Sequence, residues 1–434
     1  MNNMLSVSEK QGNPLETTKR RRVWVVSELF YPEETSTGHF MTQIAIGLGQ
    51  NFPVAVMCSQ PTYSQRGQRA PWRENHRGIE IIRCWSTTLN RNFIPFRILN
   101  LITISFSIFL NAVWRCHRGD KVLVVTNPPL LPYMILLACR IRGAIPVLLV
   151  HDVYPEVLEV SGLCSRHSSL FRIIGWLSSW LYRRMALVIV IGRDMACLAR
   201  SKGVNPQRVE LITNWADLDE IRPIPEREKA DLRDLAIGTH CVVQYCGNMG
   251  RTHGLEDLIA AAASLQDRKD IRFMMVGSGA RYAWLEQTVK EKQLDNVIVL
   301  PRCPRSDLCA YLNACDLAVI TLMSKMSGIS VPSRMYNVMA AGKPILAIAD
   351  ADSELAMTVR EEKIGWVVTP EDQEGIITTV IEAASDVEAL KIMGERARRL
   401  AEDKFNREEI LEQYRMLFAS LDYAVEKQLS RSLR

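Results

Sequence analysis

The sequence predicts an α/β protein of two domains, each built on a parallel sheet and facing the other across a cleft. Three observations carry that prediction. Short apolar runs alternate with longer stretches of helical periodicity through most of the chain, which is the rhythm of βαβ units. The rhythm pauses at residues 221–229 (IRPIPEREK), whose prolines and charges suit an exposed linker, and then restarts. In both halves, glycines and polar residues stand just after the apolar runs, where open parallel sheets hold ligands beyond the carboxyl ends of their strands.

Taken in order, residues 1–22 read as a polar tail ending in the basic run Lys19 to Arg22. No apolar core of signal-peptide length follows, so secretion is not expected. Residues 23–27 (VWVVS) form the first strand, and a helix-like run covers 40–48. Residues 98–114 are uncharged and bracketed by Arg97 and Arg115, at the lower limit for a bilayer span. Asn100, Asn111 and several hydroxyls favour instead a helix packed in the first domain or dipped into a membrane surface. Further strands fall at 121–126, 146–150 and 186–191. Between 165 and 202, seven cations, Arg183 and Arg184 among them, face the single acid Asp194, with Trp176 and Trp180 one helical turn apart. Two readings stand: a helix with a solvated basic face, or contact with an anionic membrane surface. The second series of strands lies at 241–245, 272–276, 297–300, 317–320 and 344–348, and a charged periodic helix closes the chain from about Arg407 to Leu421. The expected organisation is a first domain over 23–222, a second over 223–405, and a closing helix and tail over 406–434.

Composition bounds the function. The 434 residues are 47% hydrophobic and 23% charged, which is ordinary globular usage. A balance of 53 basic against 48 acidic residues gives only +5, too little to indicate nucleic acid binding. Eleven cysteines without Cys-x-x-Cys or Cys/His ligand spacing point to reduced thiols in a cytosolic setting and away from zinc.

The most informative stretch is residues 246–258 (CGNMGRTHGLEDL), a glycine-punctuated loop running from an apolar strand into a helix. Gly247, Gly250 and Gly254 allow close approach of a ligand, the first N–H groups of the helix offer an anion site, and Arg251 adds a fixed charge suited to phosphate oxygens. A purely structural glycine loop is the competing reading. In the first half, Gly38 precedes a helix and His151 follows a strand; in the second, residues 276–279 (VGSG) and 327–344 (SGISVPSRMYNVMAAGKP) follow strands. His151 beside Asp152 reads as a ligand or as a buried pair holding a turn. Asn248 and Ser278 read first as turn residues, Trp215 as packing, and Arg334 as either a phosphate ligand or a bridge between elements.

Five motifs in order, TNPP (126–129), VHDVYP (150–155), TNWAD (213–217), GNMGR (247–251) and VPSR (331–334) followed by 336–344, give the chain a resemblance to bacterial family-4 retaining glycosyltransferases of GT-B architecture, two Rossmann-like domains. The likeness is to the subgroup of colanic-acid and O-antigen biosynthesis, and it runs from about Val23 to the C-terminal helix. The resemblance implies transfer of a sugar from a nucleotide diphosphate sugar, UDP-linked by preference, to a hydroxyl with retained anomeric configuration. The second domain holds the donor, and the C-terminal helix returns toward the first. By matching position, Arg251 would neutralise the diphosphate, Gly38 would lie close to it, and His151 would meet the donor sugar. The donor set would also take in Asn248, Gly250, His253, Gly277, Ser278, Gly328, Arg334 and Asn337. No metal or cofactor is implied, and Asp350-Ala-Asp352 reads as capping a helix near Ser353. The chain departs from the wider family in carrying His253 where a lysine is usual, and Ile329 and Asn337 where two glutamates are usual. Arg334 or Lys343 would then supply the missing cation.

The expected partners are a nucleotide-sugar donor and a polyprenyl diphosphate-linked or oligosaccharide acceptor, at the cytoplasmic face of the membrane. Other readings are a nucleotide-sugar epimerase, a lipid-head-group glycosyltransferase, and a catalytically silent nucleotide-sugar-binding scaffold.

Overall fold

The computed structural model describes residues 21–61, 69–89, 93–224 and 241–432. Most of the N-terminal tail and the linker from residue 225 onward lie outside the described residues. The first sheet has eight strands in the order β3-β4-β2-β1-β5-β6-β7-β8. They are β1 (Val23–Val26), β2 (Val54–Ser59), β3 (Arg73–His76), β4 (Ile79–Cys84), β5 (Lys121–Val125), β6 (Ile145–Val150), β7 (Leu187–Val190) and β8 (Val209–Leu211). All neighbours pair in parallel except β3 with β4. The central strands β1, β2, β5 and β7 are buried at every residue, which is why they read as unbroken apolar runs rather than alternating ones. Helices α1 (Ser36–Gly49), α2 (Ile94–Arg115), α3 (Leu131–Arg142), α4 (Glu156–Val160), α5 (Ser169–Tyr182) and α6 (Arg193–Ser201) make the connections.

The second sheet is parallel, in the order β11-β10-β9-β12-β13-β14. Its strands are β9 (Cys241–Asn248), β10 (Ile271–Ser278), β11 (Val297–Pro301), β12 (Leu317–Thr321), β13 (Ile345–Ile348) and β14 (Gly365–Val368). Helices α7 (Leu255–Ser264), α8 (Tyr282–Glu291), α9 (Leu308–Asn313), α10 (Arg334–Ala340), α11 (Glu354–Glu361), α12 (Gln373–Ser385) and α13 (Val387–Lys404) cover it. The last helix, α14 (Arg407–Ser432), packs on α1 of the first domain. Arg415 Nη1 donates to Gln50 Oε1 at 2.8 Å, and a β-carbon at Gly47 would meet Leu411 at 2.9 Å.

Contacts join the domains on both sides of the gap. Val153 N–H donates to Ile329 O at 3.0 Å, and Asp194 Oδ2 accepts from Gly328 N–H at 2.9 Å and Glu354 N–H at 3.0 Å. Arg305 Nη2 donates to Asp217 at 2.8 Å, and Ser36 Oγ to Ser333 Oγ at 2.8 Å. Arg193 pairs with Glu354 at 3.1 Å.

Candidate active site

The carboxyl ends of both sheets open on one interdomain cleft of about 830 Å³. From the first domain it takes the N-terminal turn of α1 and the residues that follow β5 and β6; from the second, the ends of β9 and β10, the loop after β11, and residues 330–337. Helix α1 thus aims the positive end of its dipole into the space, with Thr35 Oγ1 capping Gly38 N–H at 3.2 Å.

His151, Asn248, His253, Gly277, Ser278, Arg334 and Asn337 come together along this cleft. Arg251, Gly38, Gly250 and Gly328 do not line it. Arg251 is exposed on the turn before α7, so the charge expected to meet the diphosphate lies off the cleft wall. A β-carbon at Gly38 would strike Glu33 O at 2.8 Å, so its smallness serves the entry into α1. Gly328, at φ +75°, lies under Asp194 at the domain contact. Gly277 permits close strand approach, because a β-carbon there would fall 1.9 Å from Gly247 O.

Of the residues expected at the donor site, the cation that lines the cleft is Arg334. Its guanidinium carbon lies 4.5 Å from the Tyr245 ring centroid, and Nη2 stands 2.5 Å from His253 Nδ1. Burial and the Arg334 charge push His253 down to about 3, so it stays neutral and can accept from the guanidinium. Lys343 is not a substitute, since its buried ammonium donates to Asn313 O at 3.1 Å and Cys315 O at 2.7 Å. Ile329 is buried and bonded through its carbonyl to Val153.

His151 is buried, and burial pushes it down to about 4. The turn it sits on is held by Thr126, whose Oγ1 accepts from the N–H groups of His151 and Asp152, each at 3.1 Å. Asp152 instead accepts from Asn127 Nδ2 at 2.5 Å, and burial pushes its carboxyl up. Three side chains lining the cleft have a buried nitrogen without a partner: His151 Nε2, Trp215 Nε1 and Arg334 Nη1. An unpaired buried polar group costs about 1–3 kcal/mol, so a ligand bearing oxygens is favoured there. Trp215 also packs edge-on against Phe40, centroids 4.7 Å apart.

Sequence reasoning missed Arg302, Arg305, His39, Cys246 and Cys303, all on the cleft wall. Arg302 and Arg305 sit just past β11, and a search for cations directly after strand ends finds them. The thiols of Cys246 and Cys303 are hydrogen-bonded, which raises Cys246 and lowers Cys303. Among the described residues no group of three or more His, Cys, Asp or Glu side chains is placed to hold a metal ion. Asp350 does not cap the following helix: its carboxylate accepts from Lys325 and Ser327 N–H, both at 3.1 Å, and Ser353 Oγ caps α11.

Residues 38–215 match the glycosyl transferase 4-like domain and residues 229–400 match glycosyl transferases group 1. Over 359 residues the chain is 32% identical to the Pseudomonas aeruginosa protein named glycosyltransferase WbjE, covering 81% of this chain and 86% of that one. It is 26% identical over 405 residues to the Escherichia coli K12 protein named colanic acid biosynthesis glycosyl transferase WcaI, covering 89% and 96%. Among solved structures, HepE of Anabaena in complex with UDP superposes with a TM-score of 0.69 at 16% identity, covering 92% of this chain and all of that one. With the two parallel-sheet domains, the shared cleft and the returning C-terminal helix, these matches show that the chain belongs to the group 1, family-4-like glycosyltransferases of GT-B architecture, in the subgroup of WcaI.

Proposed function

We propose that the protein transfers a sugar, with retention of anomeric configuration, from a UDP-linked donor to a hydroxyl of a polyprenyl diphosphate-linked or oligosaccharide acceptor, at the cytoplasmic face of the membrane. The observation that carries this reading is the set of unpartnered buried atoms at His151 and Trp215 of the first domain and Arg334 of the second, all lining the one cleft. Support for the uracil carrier comes from the UDP bound by HepE, and support for a role in polysaccharide assembly from the name of WcaI, a colanic acid biosynthesis glycosyl transferase.

Arg334 takes the diphosphate, with the N-terminal turn of α1 facing it from the other domain. Breaking the anomeric bond builds negative charge on the departing diphosphate, so a fixed guanidinium and N–H dipoles there stabilise the transition state more than the ground state. That charge compensation needs no metal. His151, neutral, hydrogen-bonds the donor sugar, and Asn337 holds a ribose hydroxyl. The leaving phosphate oxygen takes the acceptor proton as the hydroxyl attacks the same face.

Calorimetric titration of the full chain with UDP, GDP, ADP and dTDP, with and without magnesium, is the test. UDP binding without magnesium, followed by UDP release from a UDP-sugar only when acceptor is present, is the expected result. Turnover of the UDP-sugar without acceptor would instead favour an epimerase, and binding with no turnover a silent scaffold.

A further inference from the structure

Helix α2 carries apolar residues on two sides. One side, with Ile104, Ile108 and Ala112, is buried in the first domain. The other presents Ile98, Ile102, Phe106, Leu110 and Trp114 at four-residue spacing, all exposed, with Trp114 at 86%. Each four-residue step advances about 40° around the helix, so the row follows a shallow spiral along the exposed side of α2, about 24 Å from Ile98 to Trp114. Helix α3 packs on α2 and exposes Leu137 and Ile141; α5 packs on α3 and exposes Leu170, Ile173 and Trp176. So many large apolar side chains exposed on three helices packed in series are not ordinary monomer surface.

We infer that the outer face of α2, α3 and α5 docks on an anionic lipid bilayer, lying in the interface without crossing it. Charge complementarity selects this occupant. Arg140 and Arg184 stack on Trp180 at 5.6 and 4.5 Å, and Arg97, Arg172 and Arg183 are exposed on the same helices or directly beyond them. Aromatic and guanidinium groups around an apolar stripe suit a headgroup boundary. Crossing is ruled out by how α2 is held. Asn100 exchanges hydrogen bonds with Leu89 at 2.9–3.0 Å and accepts from Thr87 at 2.8 Å, and the buried side of the helix belongs to the domain core. The face reaches toward the cleft rim, since Arg97 of α2 interacts electrostatically with Tyr154, whose hydroxyl donates to the cleft residue Asn127 at 3.0 Å. A lipid-linked acceptor, as in the reading above on which this last step rests, would enter there.

Co-sedimentation of the full chain with phosphatidylethanolamine and phosphatidylglycerol vesicles tests the inference. The expected results are binding that weakens with salt, a blue shift of tryptophan emission lost in Trp114→Phe, and about tenfold or greater loss of binding in the triple variant Ile102→Ser, Phe106→Ser, Leu110→Ser. An unchanged melting transition shows that the variant folds; should it not fold, Arg183→Gln with Arg184→Gln must still weaken binding to these vesicles. A chain that stays in solution with every vesicle, or a dimer abolished by the same triple substitution, overturns the inference. UDP titration of the triple variant separates this failure from failure of the donor reading.

Discussion

Arg334 Nη2 stands 2.5 Å from Nδ1 of His253, so a neutral imidazole from the glycine loop holds the one guanidinium that α10 sends into the cleft. At the position where the resemblance implies a loop lysine, this chain has a pair in which the loop supplies the acceptor and the helix the charge. Replacing Arg334 by Ala is expected to weaken UDP binding about 10- to 100-fold, the loss for a charge-assisted hydrogen bond. Arg251→Ala, on the exposed turn, is expected to change it far less. Calorimetry on both variants decides, and the reverse ranking would return the diphosphate role to the loop.

His151→Ala is expected to lower turnover about 100-fold while changing UDP affinity little, because its unpartnered Nε2 belongs to a cleft residue to which the proposed mechanism gives the donor sugar. Equal losses in kcat and nucleotide affinity would make it a structural histidine.

Acid should destabilise the fold through its buried imidazoles. His39 and His151 are lowered to about 4 and His253 to about 3 by burial, so below the ordinary value of 6.5 the unfolded chain takes up protons that the folded chain refuses. Stability therefore falls as pH drops from 6.5 toward 4, by up to about 1.4 kcal/mol per pH unit for each histidine. Raised carboxyls at Asp152 and Asp194 act in the opposite sense. Urea melts across that range on the wild type and on His151→Asn isolate one imidazole, and identical slopes would refute its contribution.

Cys303 should alkylate faster than an ordinary thiol, because the Cys246 S–H donates to it and favours its thiolate. Both thiols line the cleft, so saturating UDP is expected to slow iodoacetamide labelling of Cys303, read by mass spectrometry. Labelling indifferent to UDP would place the nucleotide elsewhere.

The two missing family glutamates are not equivalent. Ile329→Glu would bury a carboxylate at the domain contact and should cost several kcal/mol, whereas Asn337→Glu faces the cleft and should leave the melting temperature nearly unchanged. Comparable melting of the two variants would contradict this placement.

The long buried strands are legible as apolar runs because parallel sheets bury both faces of a strand. The strand β3 (RENH) is not, since an antiparallel edge strand with exposed Arg73 and Asn75 has no apolar pattern to see. At the site, sequence order locates the loops but not the direction in which each side chain leaves them. Arg251 and His253 lie two residues apart on one turn, yet only His253 lines the cleft. Arg302 and Arg305 escape a motif search because a glycine-free loop offers no phosphate signature, although their strand is plain in the sequence. The exposed stripe of α2 is legible as an apolar run, but which half of it meets the core depends on the packing of α3.

The return of α14 to α1 means that the chain passes between the domains twice, and the two passages are bonded to each other: Ala216 N–H donates to Phe405 O at 2.8 Å. Two tethers joined at one point behave as a single pivot. Sliding or twisting of one domain against the other would strain one passage or the other, so any opening of the cleft must turn about that point. Shortening the chain from its C-terminal end would therefore loosen the first domain, although the residues removed follow the second domain in sequence.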